Sequence, residues 1–343
     1  MSLPAIPPHN DTLVDPLVDR FGRVHDSIRL SVTDRCNIRC FYCMPETDAH
    51  FMPRDWLLTF EELHRLADLL VRRAGVRDIR LTGGEPLVRK ELTTLIKMLS
   101  DIDGIEDLSM TTNGLLLADH AAELRAAGLR RVNVSLDTLD EASFKKISRR
   151  SGVDKVIAGI DAAIEAGFDA VKLNTIAIRS ITEPEVISLV KFASRRNVPL
   201  RFIEFMPLDT DKAWQSDDVL TGDELLNMIQ DTFGELTELS RPHPSQPAED
   251  FELPDGGRIG IIRSVTAPFC SACNRLRITA DGSMRNCLFS QDETPLRDLM
   301  RAGATDDELL SEIRGCVMAK KSGHGIDQDG FTPPDRPMYA IGG

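Results

Sequence analysis

Between residues 27 and 205 two hydrophobic rhythms take turns along the chain. Short stretches at 27–33, 78–82, 107–112, 131–136, 170–176 and 200–205 are rich in strand-forming residues. The longer stretches between them repeat apolar residues every three or four positions, as one face of a helix requires. In 59–74, Thr59 and Glu62 have the spacing of a capping box. In 153–166, Val156, Ile157, Ile160 and Ile164 share a face, and Gly167 follows as a helix stop. Strands alternating with helices predict a parallel sheet. Six such units predict an α/β fold built on a partial (β/α)6, TIM-like barrel.

Strands of a sheet covered on both faces normally read as unbroken apolar runs. Here they alternate. Ile28, Leu30 and Val32 interleave with Arg29, Ser31 and Thr33, and Ile79 and Leu81 with Arg80 and Thr82. Leu108 and Met110 interleave with Ser109 and Thr111, Val132 and Val134 with Asn133 and Ser135, and Val171 and Leu173 with Lys172 and Asn174. A period of two sends these sets to opposite faces. Buried arginines and a lysine on the inner face are costly unless a polar ligand or water satisfies them. The pattern therefore predicts a polar, cationic lumen with a ligand in it. An open antiparallel sheet with one wet face is the alternative, and the helical intervals disfavour it.

After residue 206 the rhythm weakens. Residues 242–254 are Pro-rich and acidic and read as an exposed loop. Strand-like runs follow at 258–263, 276–280 and 284–288, the last two joined by an Asp281-Gly282 turn. Helical patterns occupy 294–302 and 305–318, and the tail from 323 is rich in Gly and Pro. The expected organisation is an N-terminal segment 1–20, the partial barrel 21–240 and a C-terminal region 241–343.

The net charge of −13 argues against a nucleic-acid binder but leaves room for a small anion held by local cations. No apolar run approaches the roughly 18 residues of a membrane span. The first residues lack a basic start and apolar core, so a cytoplasmic location is the default. Seven cysteines, an odd number without an export signal, speak against a disulfide framework. Six fall into two groups of three. Cys316 lies in a helical pattern and reads as a buried structural residue. None of the seven histidines has ligand spacing.

Cys36, Cys40 and Cys43 bring three soft ligands together just after the first strand. That suits an iron–sulfur cluster with one iron left open. Structural zinc usually takes four ligands in two pairs. The spacing C-x3-C-x2-C, with Tyr42 before the last cysteine, resembles the signature of the radical S-adenosylmethionine superfamily. Thr82-Gly83-Gly84-Glu85-Pro86, closing the second strand, resembles that superfamily's glycine-rich motif. Cys270, Cys273 and Cys287 form the second group, with Asn274-Arg275-Leu276-Arg277 between the ligands. By itself this group is compatible with zinc or with a cluster.

The run from Cys270 to Gly282, with Leu288 after Cys287, is similar to the GTP 3′,8-cyclase family, which makes the pterin precursor of the molybdenum cofactor. The similarity extends from Ile28 to the terminal Gly342-Gly343. It implies two [4Fe-4S] clusters, the second in the C-terminal extension, with S-adenosyl-L-methionine bound at the first. It implies that Arg29, Arg80, Thr111, Lys172, Arg275 and Arg277 contact GTP, with Leu276 touching it through its backbone. Tyr42, Gly84, Ser135 and Met206 would contact S-adenosylmethionine. Arg29, Arg275, Arg277, Gly342 and Gly343 would serve the reaction, in which a 5′-deoxyadenosyl radical takes the C3′ hydrogen of GTP and the sugar attacks C8. A flavodoxin-like electron donor, a downstream cyclic pyranopterin monophosphate synthase and a homodimer are implied in the same way. No GxxxxGK[ST] loop is present, so side chains must hold the triphosphate. Two rival readings are a radical enzyme acting on a peptide or another small molecule, and a zinc-stabilised nucleotide-binding regulator.

Overall fold

Six β/α units follow one another as the periodicity predicts. The computed structural model describes residues 14–45, 47, 49–208, 214–326, 328 and 331–342. The strands are β1 (Ser27–Ser31), β2 (Asp78–Thr82), β3 (Asp107–Thr112), β4 (Arg131–Ser135), β5 (Ala170–Ala177) and β6 (Leu200–Glu204). They pair in that order, all parallel. The intervening helices are α1 (Phe60–Ala74), α2 (Leu92–Ser100), α3 (Leu117–Ala126), α4 (Glu141–Ser148), α5 (Val153–Glu165) and α6 (Val186–Arg195), and α7 (Gly222–Phe233) follows β6.

The chain beyond α7 completes the sheet at both sides. It contains β7 (Thr237–Glu238), β8 (Glu249–Glu252), β9 (Arg258–Ile262), β10 (Arg275–Ile278), β11 (Ser283–Arg285) and β12 (Thr294–Pro295). Strand β9 pairs parallel to β6 and β10 parallel to β1, so the barrel-like arc holds eight parallel strands. Antiparallel β11–β12 and β8–β7 finish the edges. Helices α8 (Leu296–Arg301), α9 (Asp306–Met318) and α10 (Met338–Ile341) end the chain.

Alternation along the strands sorts the two faces. Ile28, Leu30, Ile79, Leu81, Leu108, Met110, Val132, Val134 and Leu173 join Leu66, Leu70, Leu95, Leu124, Val156 and Ile160 of the helices in one buried cluster. The polar set lines the inside of the arc. At the start of α1, the Thr59 hydroxyl accepts from the Glu62 N–H at 3.2 Å and the Glu62 carboxylate accepts from the Thr59 N–H at 2.8 Å. Reciprocal capping of this kind contributes about 1 kcal/mol.

Two local expectations need correction. Ile164 is exposed, because α5 buries Val153, Val156, Gly159, Ile160 and Ala163 instead. A Cβ on Gly159 would come within 2.6 Å of the Gly114 carbonyl oxygen, so close packing on the loop before α3 rotates the helix face. The acidic 242–254 stretch is not all loop. Its second half is β8, whose backbone finds partners on the edge of β9. Cys316 is buried in α9, as expected.

Candidate active site

Parallel strands place all their C-terminal ends on one side of the sheet, where sites of such folds are built. Cys36, Cys40 and Cys43 occupy the loop just past β1. The loop is pinned to the end of α4, with the Arg39 N–H donating to Ser148 O at 2.8 Å and the Phe41 N–H to Ile147 O at 3.1 Å. Gly83 and Gly84 follow β2 and lie against the segment leading into that loop. The Gly84 N–H donates to Thr33 O and the Glu85 N–H to Arg35 O, both at 2.8 Å. A Cβ on Gly84 would sit 2.5 Å from the Arg35 carbonyl oxygen, so only glycine allows this approach. The buried Glu85 carboxylate then accepts from Leu87 N, Thr112 Oγ1 and Asn113 N, tying the turn to the end of β3.

Beside this loop is a small pocket lined by Ile38, Cys40, Tyr42, Asn113, Ser135, Asp137, Phe144, Ile147 and Ser148. The Tyr42 hydroxyl donates to Asp137 at 2.6 Å, and Asp137 also accepts from Ile176 N at 2.8 Å. Met206, half-buried, sits just past β6 at the same end of the sheet.

The second triad is at the other end. Cys270 and Cys273 lie in the turn before β10, and Cys287 follows β11. Because β10 runs parallel to β1, with Arg275 opposite Ser27 and Arg277 opposite Arg29, Cys273 stands at the N-terminal ends of the strands. The two triads thus face each other along the length of the arc, with the polar face between them.

Cross-strand register turns that face into a belt of cations. Arg277 is opposite Arg29, Arg29 opposite Arg80, Arg80 opposite Ser109, and Ser109 opposite Arg131. Lys172 is opposite Asn133, and Arg201 opposite Asn174. Thr111, opposite Asn133, shares the polar side of β3. Leu276 is fully buried on the other face, within the core, so any contact it makes in the lumen is through its backbone.

Comparison with known proteins decides what this arrangement serves. Residues 30–193 match the model of the radical SAM superfamily, and residues 198–326 match that of Molybdenum Cofactor Synthesis C. The GTP 3′,8-cyclase of Rhodopirellula baltica is 65% identical, over 96% of this chain and 94% of that one. The GTP 3′,8-cyclase of Rhodococcus opacus is 47% identical, over 96% and 94% of the two chains. The chain belongs to the GTP 3′,8-cyclase family. The crystal structure of Streptococcus suis SuiB bound to S-adenosylmethionine shares the fold, with a TM-score of 0.58 at 13% identity, covering 86% of this chain and 67% of that one.

As a GTP 3′,8-cyclase, the chain converts GTP to (8S)-3′,8-cyclo-7,8-dihydroguanosine 5′-triphosphate, the first step of molybdenum cofactor biosynthesis. As a radical SAM enzyme it uses S-adenosylmethionine and a [4Fe-4S] cluster. The residues at the C-terminal end of the strands fit that pair. Cys36 Sγ accepts from Asn113 Nδ2 at 3.7 Å, and the Tyr339 N–H donates to Cys43. Burial raises the Cys36 thiol to about 11, with help from the Glu85 charge, and lifts Cys40 and Cys43 further. The neighbouring pocket combines the apolar side chains of Ile38, Phe144 and Ile147 with the polar ones of Tyr42, Asn113, Ser135, Asp137 and Ser148.

The lumen is under-neutralised. Burial and the charges of Arg277 and Arg80 hold Arg29 well below its ordinary range. Burial and Arg131 lower Arg80 to about 10, while burial and Arg275 lower Arg277 to about 9. Lys172 falls to about 8 through burial and the charge of Arg201. The acidic groups paired with lumen cations are Asp107, on Arg131, and Asp250, 3.7 Å from Arg201. Nε of Arg201 and Nε of Arg275 are buried with no acceptor among the described residues. Such atoms call for an anionic guest.

The tail reaches this space. Arg277 donates to the Gly342 carbonyl, and a Cβ on Gly342 would come 2.7 Å from that of Ser31. Arg336 holds the approach by bonding Asp281 at 2.7 Å and Glu293 at 2.9 Å. Gly343 lies outside the described residues.

Sequence reasoning missed Arg131, Arg201 and Asp137. Arg131 continues the Asn133, Ser135 alternation by one more step and was legible there. Arg201 was hidden because Ile203, on the same face of β6, breaks the alternation. Asp137 lies past the end of β4, where no period operates.

Proposed function

We propose that GTP lies along the lumen between two [4Fe-4S] clusters, its triphosphate on the cationic belt and its guanine toward the second triad. The observation that carries this reading is the belt itself, seven cations with two acidic partners and two orphaned guanidinium Nε atoms. Arg29, Arg80, Lys172, Arg275 and Arg277 hold the substrate, with Arg131 and Arg201 added, because planar guanidinium forks match phosphate oxygens. Thr111 offers a hydroxyl on the same side, and Leu276 a backbone contact.

Tyr42, Gly84, Ser135 and Met206 hold S-adenosylmethionine at the C-terminal ends of the strands. With Cys36, Cys40 and Cys43 loaded, these cofactors supply a carbon-centred radical that takes hydrogen from the substrate. What the chain adds is placement. Arg29 and Arg277 fix the nucleotide between the two ends, and the tail at Gly342 covers it and keeps water out.

Cys270, Cys273 and Cys287 hold the second cluster. At Cys273 burial opposes the thiolate, but the charges of Arg275 and Lys320 and hydrogen bonds from Arg275 outweigh it, and the thiol titrates at about 6. All seven cysteines are free, in keeping with a reducing, cytoplasmic setting. Among the described residues no helix is long and apolar enough to cross a membrane. The family resemblance supports a flavodoxin-like donor, a homodimer and transfer of the product to a cyclic pyranopterin monophosphate synthase.

Anaerobic reconstitution tests the proposal. The expected result is about eight irons per chain, as two four-iron clusters require, with 5′-deoxyadenosine formed only when GTP accompanies S-adenosylmethionine and dithionite. About four irons overturns the second cluster, and cleavage indifferent to GTP overturns the placement of the nucleotide.

A further inference from the structure

Lys320 stands just after α9, is only 3% exposed, and lies against the second triad. Its ammonium group donates to the carbonyl oxygen of Arg275 at 2.9 Å and to that of Asn286. Arg275 follows Cys273 closely and Asn286 immediately precedes Cys287, so one side chain clamps together the two segments that carry these ligands.

Among the described residues no Asp or Glu forms an ion pair with Lys320, whereas nearby Arg23 is bonded to Asp19 at 2.6 Å. Arg23 in turn donates to the carbonyls of Cys270, Lys321 and Ser322, fixing the segment that begins at Lys320. A buried ammonium without a counterion is expensive. The side chains of Cys273 and Cys287 lie close to Lys320.

We propose that Lys320 is a positioning residue for the second cluster, joining the Cys273 and Cys287 segments and setting one uncompensated positive charge against the cluster so that it is easier to reduce. This rests on the reading that Cys270, Cys273 and Cys287 hold a four-iron cluster. Buried charge and hydrogen bonding near the sulfurs are the means by which a protein sets such a potential. In a GTP 3′,8-cyclase the effect falls on the end of the lumen away from S-adenosylmethionine, and so on the half of the reaction that follows hydrogen abstraction.

The test is a redox titration of the reconstituted full-length enzyme, followed by electron paramagnetic resonance, comparing wild type with Lys320→Met and Lys320→Arg. Lys320→Met keeps the apolar stem and removes the charge. Its second-cluster reduction equilibrium should fall about tenfold, a shift of about 59 mV to lower potential for one electron. Lys320→Arg should stay close to wild type, and the first cluster should be unchanged in both. The potential is read on the loaded fraction, so partial loading does not obscure it. Loss of the second cluster in Lys320→Met alone also supports the proposal.

An unshifted potential in Lys320→Met overturns it. Equal shifts in both variants, or loss of the second cluster from both, overturn it too, because charge is then not the property that matters. A wild-type enzyme with about four irons instead removes the second cluster itself, a failure the iron count reports before any variant is made.

Discussion

The two cysteine triads have the same donors and opposite surroundings. At the first, burial and the carboxylates of Glu85 and Asp137 lift the thiols, with Arg39 opposing them only at Cys36. At the second, burial raises Cys270, but Arg275 and Lys320 draw Cys273 down to about 6 against the effect of burial. The first end stands beside a small pocket of apolar and polar side chains, the second opens onto a belt of arginines. The difference fits the proposed division of task, in which the first end is closely packed around the radical chemistry and the belt beside the second carries positive charge before the substrate arrives.

The sharpest way to separate the ends is Arg277→Ala. It removes a cation from the belt and the donor to the Gly342 carbonyl while leaving all six cysteines in place. Cyclisation should fall about 100-fold or more, with the iron content unchanged. Product assays beside iron analysis check this, and wild-type cyclisation would falsify the assignment of Arg277 to the substrate.

A smaller loss is expected from Gly342→Ala. The residue has φ +84°, and an added Cβ would meet that of Ser31 at 2.7 Å, so the tail must shift. Turnover should fall about tenfold while both clusters remain. A turnover equal to wild type would show that the tail's position in the lumen is of no consequence to the reaction.

The mildest effect concerns Lys172 and pH. Its free-enzyme value is near 8, and a bound triphosphate favours the charged form. GTP affinity should therefore be level below pH 8 and weaken above it, by less than about tenfold per pH unit, as the free enzyme loses that proton. Lys172→Arg should flatten the profile. A profile with the same slope in wild type and variant would assign the pH dependence to another group. The sign for stability runs the other way. Between about 8 and 10.5 the unfolded chain binds more protons at this residue, so the substrate-free fold gains stability as pH rises through that window.

Part of this site was legible before any fold was known. The alternation in 27–33, 78–82, 131–136 and 170–176 announced both the strands and the polarity of the lumen, because a period of two assigns each side chain to a face. The spacing of Cys36, Cys40 and Cys43 announced one thiol group, because three thiols within one loop cannot be far apart, whereas Cys287 joins Cys270 and Cys273 only through the β10–β11 pairing. The Thr59 and Glu62 box marked the start of α1, because capping is chemistry within one turn. Arg201 escaped because Ile203 interrupts its alternation, and Asp250 because a short polar strand resembles a loop until its partners are known.

What the sequence by itself determined is therefore local: which residues alternate, which thiols group, and which segments start or stop a helix. Only the tertiary structure decided that the triads stand at opposite ends of one lumen, that β9 and β10 complete the arc, and that Gly342 returns to Arg277. These depend on pairings such as Arg29 with Arg277, between segments far apart in the chain. No local period encodes such a pairing. It forms because burying the apolar faces of β9 and β10 in the common core is favourable and because their edges find backbone partners on β6 and β1.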